Sequence, residues 1–251
     1  MTAKREFKNV VKSRDVEQTL PVDQYLKELD QLIVGTMAGA KDKLTPAVGA
    51  GTASREVVKR LALEYYYLGK WMTPEFPLLI ATAPDTDALT LDASEHYQHW
   101  AQNFADESGF LGDPNHVDMK VEFCHQVGLS DGEILAYVPL PETVGMVFTH
   151  NYYIRRSYEE GLATLGFAGE RLAARSGYAK VLYEGLRSHY DLEVRNFKTH
   201  AYAEGDHGDK AEQLFRKVAT SVHVQRRCRE AVRNVTLTKR ARVLRMNEWV
   251  D

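Results

Sequence analysis

The stretch His200-Ala201-Tyr202-Ala203-Glu204-Gly205-Asp206-His207 carries two imidazoles and a carboxylate at spacings of four and three residues. If it is helical, these three side chains lie within about 60° of one another on one face, because each residue turns the helix by about 100°. Neutral imidazole and carboxylate together suit iron, manganese or zinc, and Glu-x-x-His spacing occurs in dinuclear sites of helix bundles. The stretch therefore predicts a helix that supplies metal ligands. The competing interpretation is a solvated polar face.

The rest of the sequence is also dominated by helical periodicity. Apolar residues recur at helical spacing along most of the chain, and no segment shows sustained alternation of apolar and polar residues. The chain is therefore predicted to be all-α, with about eight to ten helices in a single domain over residues 21–251 and a flexible segment over residues 1–20. The predicted helices cover residues 22–37, 54–71, 74–83, 90–107, 116–128, 142–175, 178–190, 200–215 and 223–249, with a short helix after Ser130 and a break at 44–52.

Composition excludes several classes of protein. Hydrophobic residues make up 44% of the chain and charged residues 27%, as in ordinary soluble globular proteins. The net charge of −3 gives no electrostatic reason to expect nucleic acid as a partner. No apolar run approaches the length of a membrane span, and the first residues contain no signal-peptide core, so a cytoplasmic protein is expected.

The cysteines narrow the chemistry further. Only Cys124 and Cys228 are present, which excludes a disulfide framework and a cysteine-rich zinc site. Cys124 lies in Val-Glu-Phe-Cys-His-Gln-Val, where a buried small side chain is a better interpretation than a nucleophile.

Two sets of residues could complete a metal site around the opening stretch, since one helix can supply only two or three ligands. In the first set, Glu122-x-x-His125 pairs with Glu204-x-x-His207, as in ferritin-like proteins. In the second, a glutamate at a helix end and a histidine at the start of the next helix combine with a later glutamate and the opening triplet. That second set is Glu107, His116, Glu170, His200, Glu204 and His207. The first set leaves His200 without a role.

Several motifs together make the chain, over about residues 20–250, resemble a known group of proteins. They are Tyr65-Tyr66-Tyr67 leading to Ala83-Pro84-Asp85, Glu107-Ser-Gly109 followed by His116 and Val127-Gly-Leu-Ser130, the Tyr153 to Arg156 region ahead of Glu170, and His200-x-x-x-Glu204-x-x-His207-Gly208. With these motifs the chain resembles the TenA/pyrroloquinoline-quinone synthase group, and specifically its heme-oxygenase-like diiron oxidases and oxygenases.

The resemblance implies a heme-oxygenase-like helical bundle in which the second ligand set holds two ferrous ions, with O₂ as co-substrate. These six residues would be both the metal ligands and the catalytic centre. It further implies a non-heme diiron oxidase or oxygenase that desaturates, cleaves or fragments a small substrate, with an amino acid or related carboxylate expected. The sequence departs from the family in one place, because Glu204 stands where the family usually has aspartate. One added methylene changes how a carboxylate reaches a metal, so the second iron is expected to bind less tightly.

Two alternatives remain open. One is a metal-free enzyme like TenA or pyrroloquinoline-quinone synthase that acts on a small heterocycle, and the other is a non-catalytic helical partner protein. Candidate pocket walls are Tyr65, Tyr66, Tyr152, Tyr153 and Phe167, and candidate carboxylate anchors are Arg155, Arg156 and Arg195, of which Tyr65, Tyr153 and Arg156 are the predicted substrate-binding residues.

Two further groups of polar residues are predicted to lie on the surface. The pair His96 and His99 is interpreted as a surface helix face. The Arg-rich last helix is interpreted as solvated or dimer-facing, which is compatible with a homodimer and does not require nucleic acid.

Overall fold

The computed structural model describes residues 18–84, 91–110, 114–203 and 205–251, and all regular structure in those ranges is helical. The all-α prediction is confirmed for this part of the chain. The described helices are α1 (Val22–Met37), α2 (Leu44–Gly49), α3 (Arg55–Met72), α4 (Glu75–Thr82), α5 (Leu91–Ser108), α6 (His116–Gln126), α7 (Asp131–Leu135), α8 (Pro141–Arg156), α9 (Tyr158–Gly161), the π-helix π1 (Leu162–Glu170), α10 (Arg171–Ser176), α11 (Tyr178–Tyr190), α12 (Arg195–Ala203), α13 (Gly205–Val218) and α14 (Val222–Asn247). None of them is both long and apolar enough to cross a lipid bilayer.

Side-chain caps start several helices where the sequence indicates. The Ser54 hydroxyl accepts a hydrogen bond from the Val57 amide at 3.2 Å and begins α3. Ser130 and Glu133 form a reciprocal capping box that begins the short helix α7. Residues 44–49, predicted to lie in a break, instead form the short helix α2. This helix tolerates Pro46 because the proline lies in its first turn.

The predicted helix over residues 142–175 is wrong as a single element. Ser157 has extended backbone angles, with φ −165° and ψ 158°, and its hydroxyl caps α9 by accepting from the Glu160 amide at 3.3 Å. The nine residues of π1 then follow, and α10 continues from them. The chain therefore changes direction after α8, and extra helices appear relative to the eight to ten predicted.

The predicted surface position of His96 and His99 is also wrong, because both side chains are buried. A ring nitrogen of His96 lies 2.7 Å from the Tyr158 hydroxyl, which also accepts a hydrogen bond from the Trp100 indole at 3.0 Å. The hydroxyl supplies a partner inside the protein, so α5 can turn His96 inward together with Trp100.

Two clusters of apolar side chains form the interior. The first joins α1, α4, α5, α8, α9, π1, α13 and α14 and contains Tyr25, Phe76, Trp100 and Phe215. The second joins α2, α3, α6, α7, α11, α12 and α14 and contains Val48, Leu61, Phe123, Leu186 and Phe197. Residues of both clusters line one cavity, which therefore lies between them.

The first and last described helices are fastened to each other. The Gln225 side chain accepts a hydrogen bond from the Leu20 amide at 3.0 Å and donates one to the Leu20 carbonyl at 2.9 Å. The buried Tyr25 hydroxyl donates to the Gln225 carbonyl at 2.7 Å. Of the segment predicted to be flexible, residues 1–17 lie outside the described ranges, and Leu20 is held against α14.

Candidate metal centre

Two consecutive helices bring a glutamate and a histidine into contact. Glu107 lies in the last turn of α5, and His116 is the first residue of α6, whose start is capped by the Asn115 side chain accepting from the Val117 amide at 2.8 Å. The Glu107 Oε1 and His116 Nδ1 atoms are 2.8 Å apart. His200 on α12 adds a second imidazole, with its ring centroid 5.0 Å from that of His116.

The donor atoms of this triplet are close enough to share one metal ion. One ligand atom from each of Glu107, His116 and His200 lies within 4.8 Å of the other two. First-row metal ions bind imidazole nitrogen and carboxylate oxygen at about 2.0–2.2 Å, so two atoms on one ion are at most about 4.4 Å apart. A shift of a few tenths of an ångström is therefore enough for coordination.

The electrostatics of the triplet also fit a cation. Burial raises the pKa of the Glu107 carboxyl, but the His116 side chain and the positive charge of Lys120 outweigh it and lower the pKa to about 2. The carboxylate is therefore ionised at neutral pH. The His116 imidazole is buried, and its Nδ1 faces the Glu107 carboxylate. An imidazole and a carboxylate that face each other in the interior are a donor set that suits iron, manganese or zinc.

The triplet opens onto the cavity between the two apolar clusters. The cavity has a volume of about 450 Å³, which is within the usual range for small-molecule sites. Glu170, the last residue of π1, lines it together with Glu107 and His200, and so does Tyr65. Of the six predicted ligands, three form the triplet, and Glu170 lines the same cavity as Glu107 and His200.

The remaining two predicted ligands are Glu204 and His207. Glu204 is outside the described residues, and so is the side chain of His207. The backbone of His207 lies in the first turn of α13. Next to it, Gly208 packs against α10 so closely that an added Cβ would lie 2.9 Å from the Arg171 Cα.

Several predicted site residues lie away from the cavity. Tyr153 packs against Ala231 and Val235 of α14, and its hydroxyl accepts a hydrogen bond from Asn234. Arg156 is exposed and lies 3.4 Å from the Glu160 carboxylate. Neither these two residues nor their partners line the cavity. Tyr152 and Arg155 are exposed as well, and Phe167 is buried in the first cluster.

The competing ligand set is also placed elsewhere. Glu122 pairs with Arg195 on the surface. His125 lies 2.8 Å from Asp131, and 49% of its side chain is exposed. Neither Glu122 nor His125 lines the cavity.

Four basic cavity residues were not predicted as site residues. They are Lys120 on α6, His150 on α8, and Lys239 and Arg242 on α14. A sequence signal existed for the last two, because Val235, Lys239, Arg242 and Met246 recur at spacings of four, three and four residues. Such spacing places both cations on the buried stripe of α14 rather than on the solvated face expected for its arginines.

His150 has a buried carboxyl beside it. Its Nδ1 lies 3.9 Å from Oε2 of Glu75, whose Oε1 accepts a hydrogen bond from Asn151 at 2.7 Å. Burial, and then the positive charge of Lys239, lower the pKa of His150 to about 3. Burial raises the pKa of Glu75 well above its usual value. Both side chains are therefore held in their neutral forms.

Neither cysteine belongs to this site. Cys124 and Cys228 are buried, free and absent from the cavity lining. Burial raises the pKa of the Cys124 thiol to about 12, and it raises that of Cys228 as well. The prediction that Cys124 is a buried small side chain agrees with this placement.

A model of a known protein family matches most of this chain. Residues 62–239 match the family model described as iron-containing redox enzyme. A search of curated proteins finds no significant match.

Three solved structures show the fold. A TenA homologue from Pseudomonas syringae pv. tomato has 13% sequence identity and a TM-score of 0.71 over 92% of this chain and 98% of its own. A domain of unknown function with a heme oxygenase-like fold from Shewanella denitrificans has 13% identity and a TM-score of 0.68 over 91% and 93%. A CADD-like protein of unknown function from Nostoc punctiforme has 16% identity and a TM-score of 0.64 over 92% and 99%. The predicted heme-oxygenase-like fold is confirmed.

Proposed function

Since this chain belongs to the family of iron-containing redox enzymes, we propose that it is a non-heme diiron oxidase or oxygenase that uses O₂ to desaturate, cleave or fragment a small organic substrate. The observation that carries the proposal is the convergence of Glu107, His116 and His200 at the edge of a largely apolar cavity. We propose that these residues, with Glu170, Glu204 and His207, hold two ferrous ions. Bound iron would supply the electrons that reduce O₂ and so provide the oxidant.

The chain's own residues would position and shield the reaction. Glu107 offers an ionised carboxylate at neutral pH, and two imidazoles next to it complete a mixed nitrogen and oxygen donor set that suits iron. Ile33, Leu61, Met72, Met146 and Leu165 give the cavity an apolar lining that limits water next to the donor set. The substrate would lie in this cavity, with the Tyr65 ring as part of its wall.

The metal-free alternative has less support. A thiaminase-type reaction would need a nucleophilic cysteine at the cavity, and both cysteines are buried elsewhere with raised pKa values. The carboxylate and imidazoles at the cavity instead favour metal chemistry. The substrate is proposed to be a small molecule rather than a nucleic acid, in line with the net charge of −3.

The test is anaerobic reconstitution with ferrous iron, followed by removal of loose metal and measurement of iron per chain. We expect about two irons in the wild type and a sharp loss in His116→Ala, because this change removes a donor from the triplet. A wild type that retains almost no iron after reconstitution would overturn the proposal.

His125→Ala is the matched control for that experiment. His125 lies on the same helix as His116, but it is exposed and contacts Asp131 rather than the cavity. Its replacement should leave iron content unchanged. Loss of iron in His125→Ala with retention in His116→Ala would instead support the ferritin-like ligand set.

A further inference from the structure

One wall of the cavity, formed by α8 and α14, carries three basic side chains. Lys239 and Arg242 lie one turn apart on α14, and His150 faces the same cavity from α8. The positive charge of Lys239 lowers the pKa of His150, and the positive charge of Arg242 lowers the pKa of Lys239, so Lys239 lies near both. The three groups therefore form one basic patch inside an otherwise mostly apolar space.

The Arg242 side chain is oriented by a hydrogen bond to α8. Its Nε donates a hydrogen bond to the Thr143 hydroxyl oxygen at 3.0 Å, and that hydroxyl donates to the buried carboxylate of Glu64. Glu64 also accepts hydrogen bonds from the Leu140 amide and the Tyr137 hydroxyl. The guanidinium is therefore oriented by a chain of hydrogen bonds rather than by a direct ion pair with Glu64.

One nitrogen of the Arg242 guanidinium has no hydrogen-bond partner in the described part of the chain. Its Nη2 atom is buried and has no hydrogen-bond partner, although the residue lines the cavity. The guanidinium carbon also lies 5.8 Å from the centroid of the Tyr65 ring, which lines the same cavity. A buried, unsatisfied N–H on a charged group is costly, so a ligand acceptor at this position would bind favourably.

The other two groups can complete an anion site. Both ring nitrogens of His150 are buried and have no hydrogen-bond partner, so the neutral ring can donate one hydrogen bond to a ligand oxygen. Lys239 donates to the Ala168 carbonyl and adds a second positive charge. Of the cavity carboxylates, Asp42 accepts from the Thr45 amide at the start of α2, while Glu107 and Glu170 are the proposed iron ligands. The negative charge of Glu170 offsets part of the Lys239 charge, whereas no cavity carboxylate of the described residues pairs with Arg242.

We propose that Arg242, with His150 and Lys239 beside it, binds the carboxylate of an organic acid whose apolar body fills the rest of the cavity. The body would contact the apolar lining, which includes Ile33, Leu61, Leu68, Met72, Met146 and Leu165. A planar guanidinium matches the two oxygens of a carboxylate, which favours this group over a single point charge. The inference names the substrate class of the site and so rests on the proposed function.

The test measures binding of octanoate and of the uncharged octanamide to the full chain, made metal-free with a chelator, by calorimetry. We expect octanoate to bind and octanamide to bind roughly 10- to 100-fold more weakly. In Arg242→Met, octanoate should weaken by about the same factor while octanamide is unchanged, which shows that the cavity is still folded. Arg242→Lys, which keeps the charge and loses the planar fork, should recover only part of the affinity.

Arg233→Met is the matched control, because Arg233 is exposed on the same helix and does not line the cavity. It should bind octanoate as the wild type does. Equal affinity for octanoate and octanamide in the wild type, or unchanged octanoate binding in Arg242→Met, would overturn the inference. Tighter binding of octyl phosphate than of octanoate would overturn the choice of carboxylate. Because no iron is present, these results do not depend on the iron measurement that tests the proposed function.

Discussion

The imidazole of His150 and the carboxyl of Glu75 lie side by side in the interior, and both are almost fully buried. An ionised group at such a place costs several kcal/mol unless it is paired by hydrogen bonds. His150 Nδ1 and Glu75 Oε2 are too far apart, at 3.9 Å, for a direct hydrogen bond. Each group therefore stays neutral, and the pair ties the stability of the fold to pH.

Replacing His150 should change how stability depends on pH. The pKa of His150 is about 3 in the folded protein and 6.5 when unperturbed, so between these values the unfolded chain binds a proton that the folded chain does not. His150 thus lowers stability as pH falls from about 6.5 to about 3, by up to about 1.4 kcal/mol per pH unit.

The measurement is the free energy of unfolding of wild type and His150→Gln by denaturant at several pH values. We expect the wild type to lose more stability than the variant on acidification below pH 6.5. Above pH 7 the difference between the two proteins should stay constant. Parallel curves over the whole acidic range would show that His150 is already protonated in the folded state.

Residue-level prediction from the sequence depended on how local the contact is. Glu107 and His116 are nine residues apart at the ends of consecutive helices, so the short connection along the chain keeps them near each other. Arg242 and His150 meet the cavity only after α14 has packed on α8. Nothing near either residue in the sequence reveals that packing, and an arginine-rich helix ordinarily faces solvent.

At the scale of elements, the contact of α13 with α10 depends on a glycine. A Cβ added to Gly208 would lie 2.9 Å from the Arg171 Cα and 3.3 Å from the Ala174 Cβ. The first of these is a backbone atom that cannot move without shifting a helix. Since α13 also carries the proposed ligand His207, the packing of α13 against α10 affects where that ligand lies.

Gly208→Ala should lower the free energy of unfolding by about 1–3 kcal/mol and reduce retained iron, because α13 has to move away from α10. Gly145→Ala is the matched control, since no atom lies within 4 Å of the added Cβ in the middle of α8. That change should stabilise the protein by about 0.5–1 kcal/mol and leave iron content alone. Denaturant unfolding and iron analysis of both variants check this, and equal stabilisation by the two changes would contradict it.

The helices themselves were largely predictable, but the junction of α8, α9 and π1 was not. Apolar periodicity and caps such as Ser54 and Ser130 determine most helix starts within a few residues. Ser157-x-x-Glu160 has the spacing of a helix start, and Ser157 does cap α9, but one such signal within a long helical pattern does not reveal that the preceding helix ends there. The π-helix that follows contains Gly166, whose added Cβ would lie 3.2 Å from the Ala211 Cβ on α13, so glycine allows π1 and α13 to pack closely there.

At the scale of the whole molecule, the donor triplet connects helices from separate parts of the chain. Glu107, His116 and His200 belong to α5, α6 and α12, and Glu170 ends π1. A metal ion that binds only when these helices are assembled stabilises the folded protein by mass action. Stability should therefore report on metal binding directly.

Anaerobic ferrous iron at about 100 times its dissociation constant should raise the melting temperature of the metal-free wild type by roughly 5 to 10 °C. Glu107→Gln should abolish most of that rise, because the amide cannot supply the carboxylate charge. Thermal unfolding under argon measures both, with Mg²⁺ as a comparison ion that favours oxygen ligands and should have little effect. An equal rise for wild type and Glu107→Gln would place the stabilising ion elsewhere.

The fastening of α1 to α14 through Gln225 also affects how the protein is made. Tyr25 and Gln225 are 200 residues apart, so α1 leaves the ribosome long before its partner has been synthesised. At about 5–20 residues per second the interval is roughly 10 to 40 s. During that time the apolar face of α1, with Tyr25, Leu29 and Ile33, has no α14 to pack on. The nascent chain therefore carries this apolar face without its final partner until the last helix emerges.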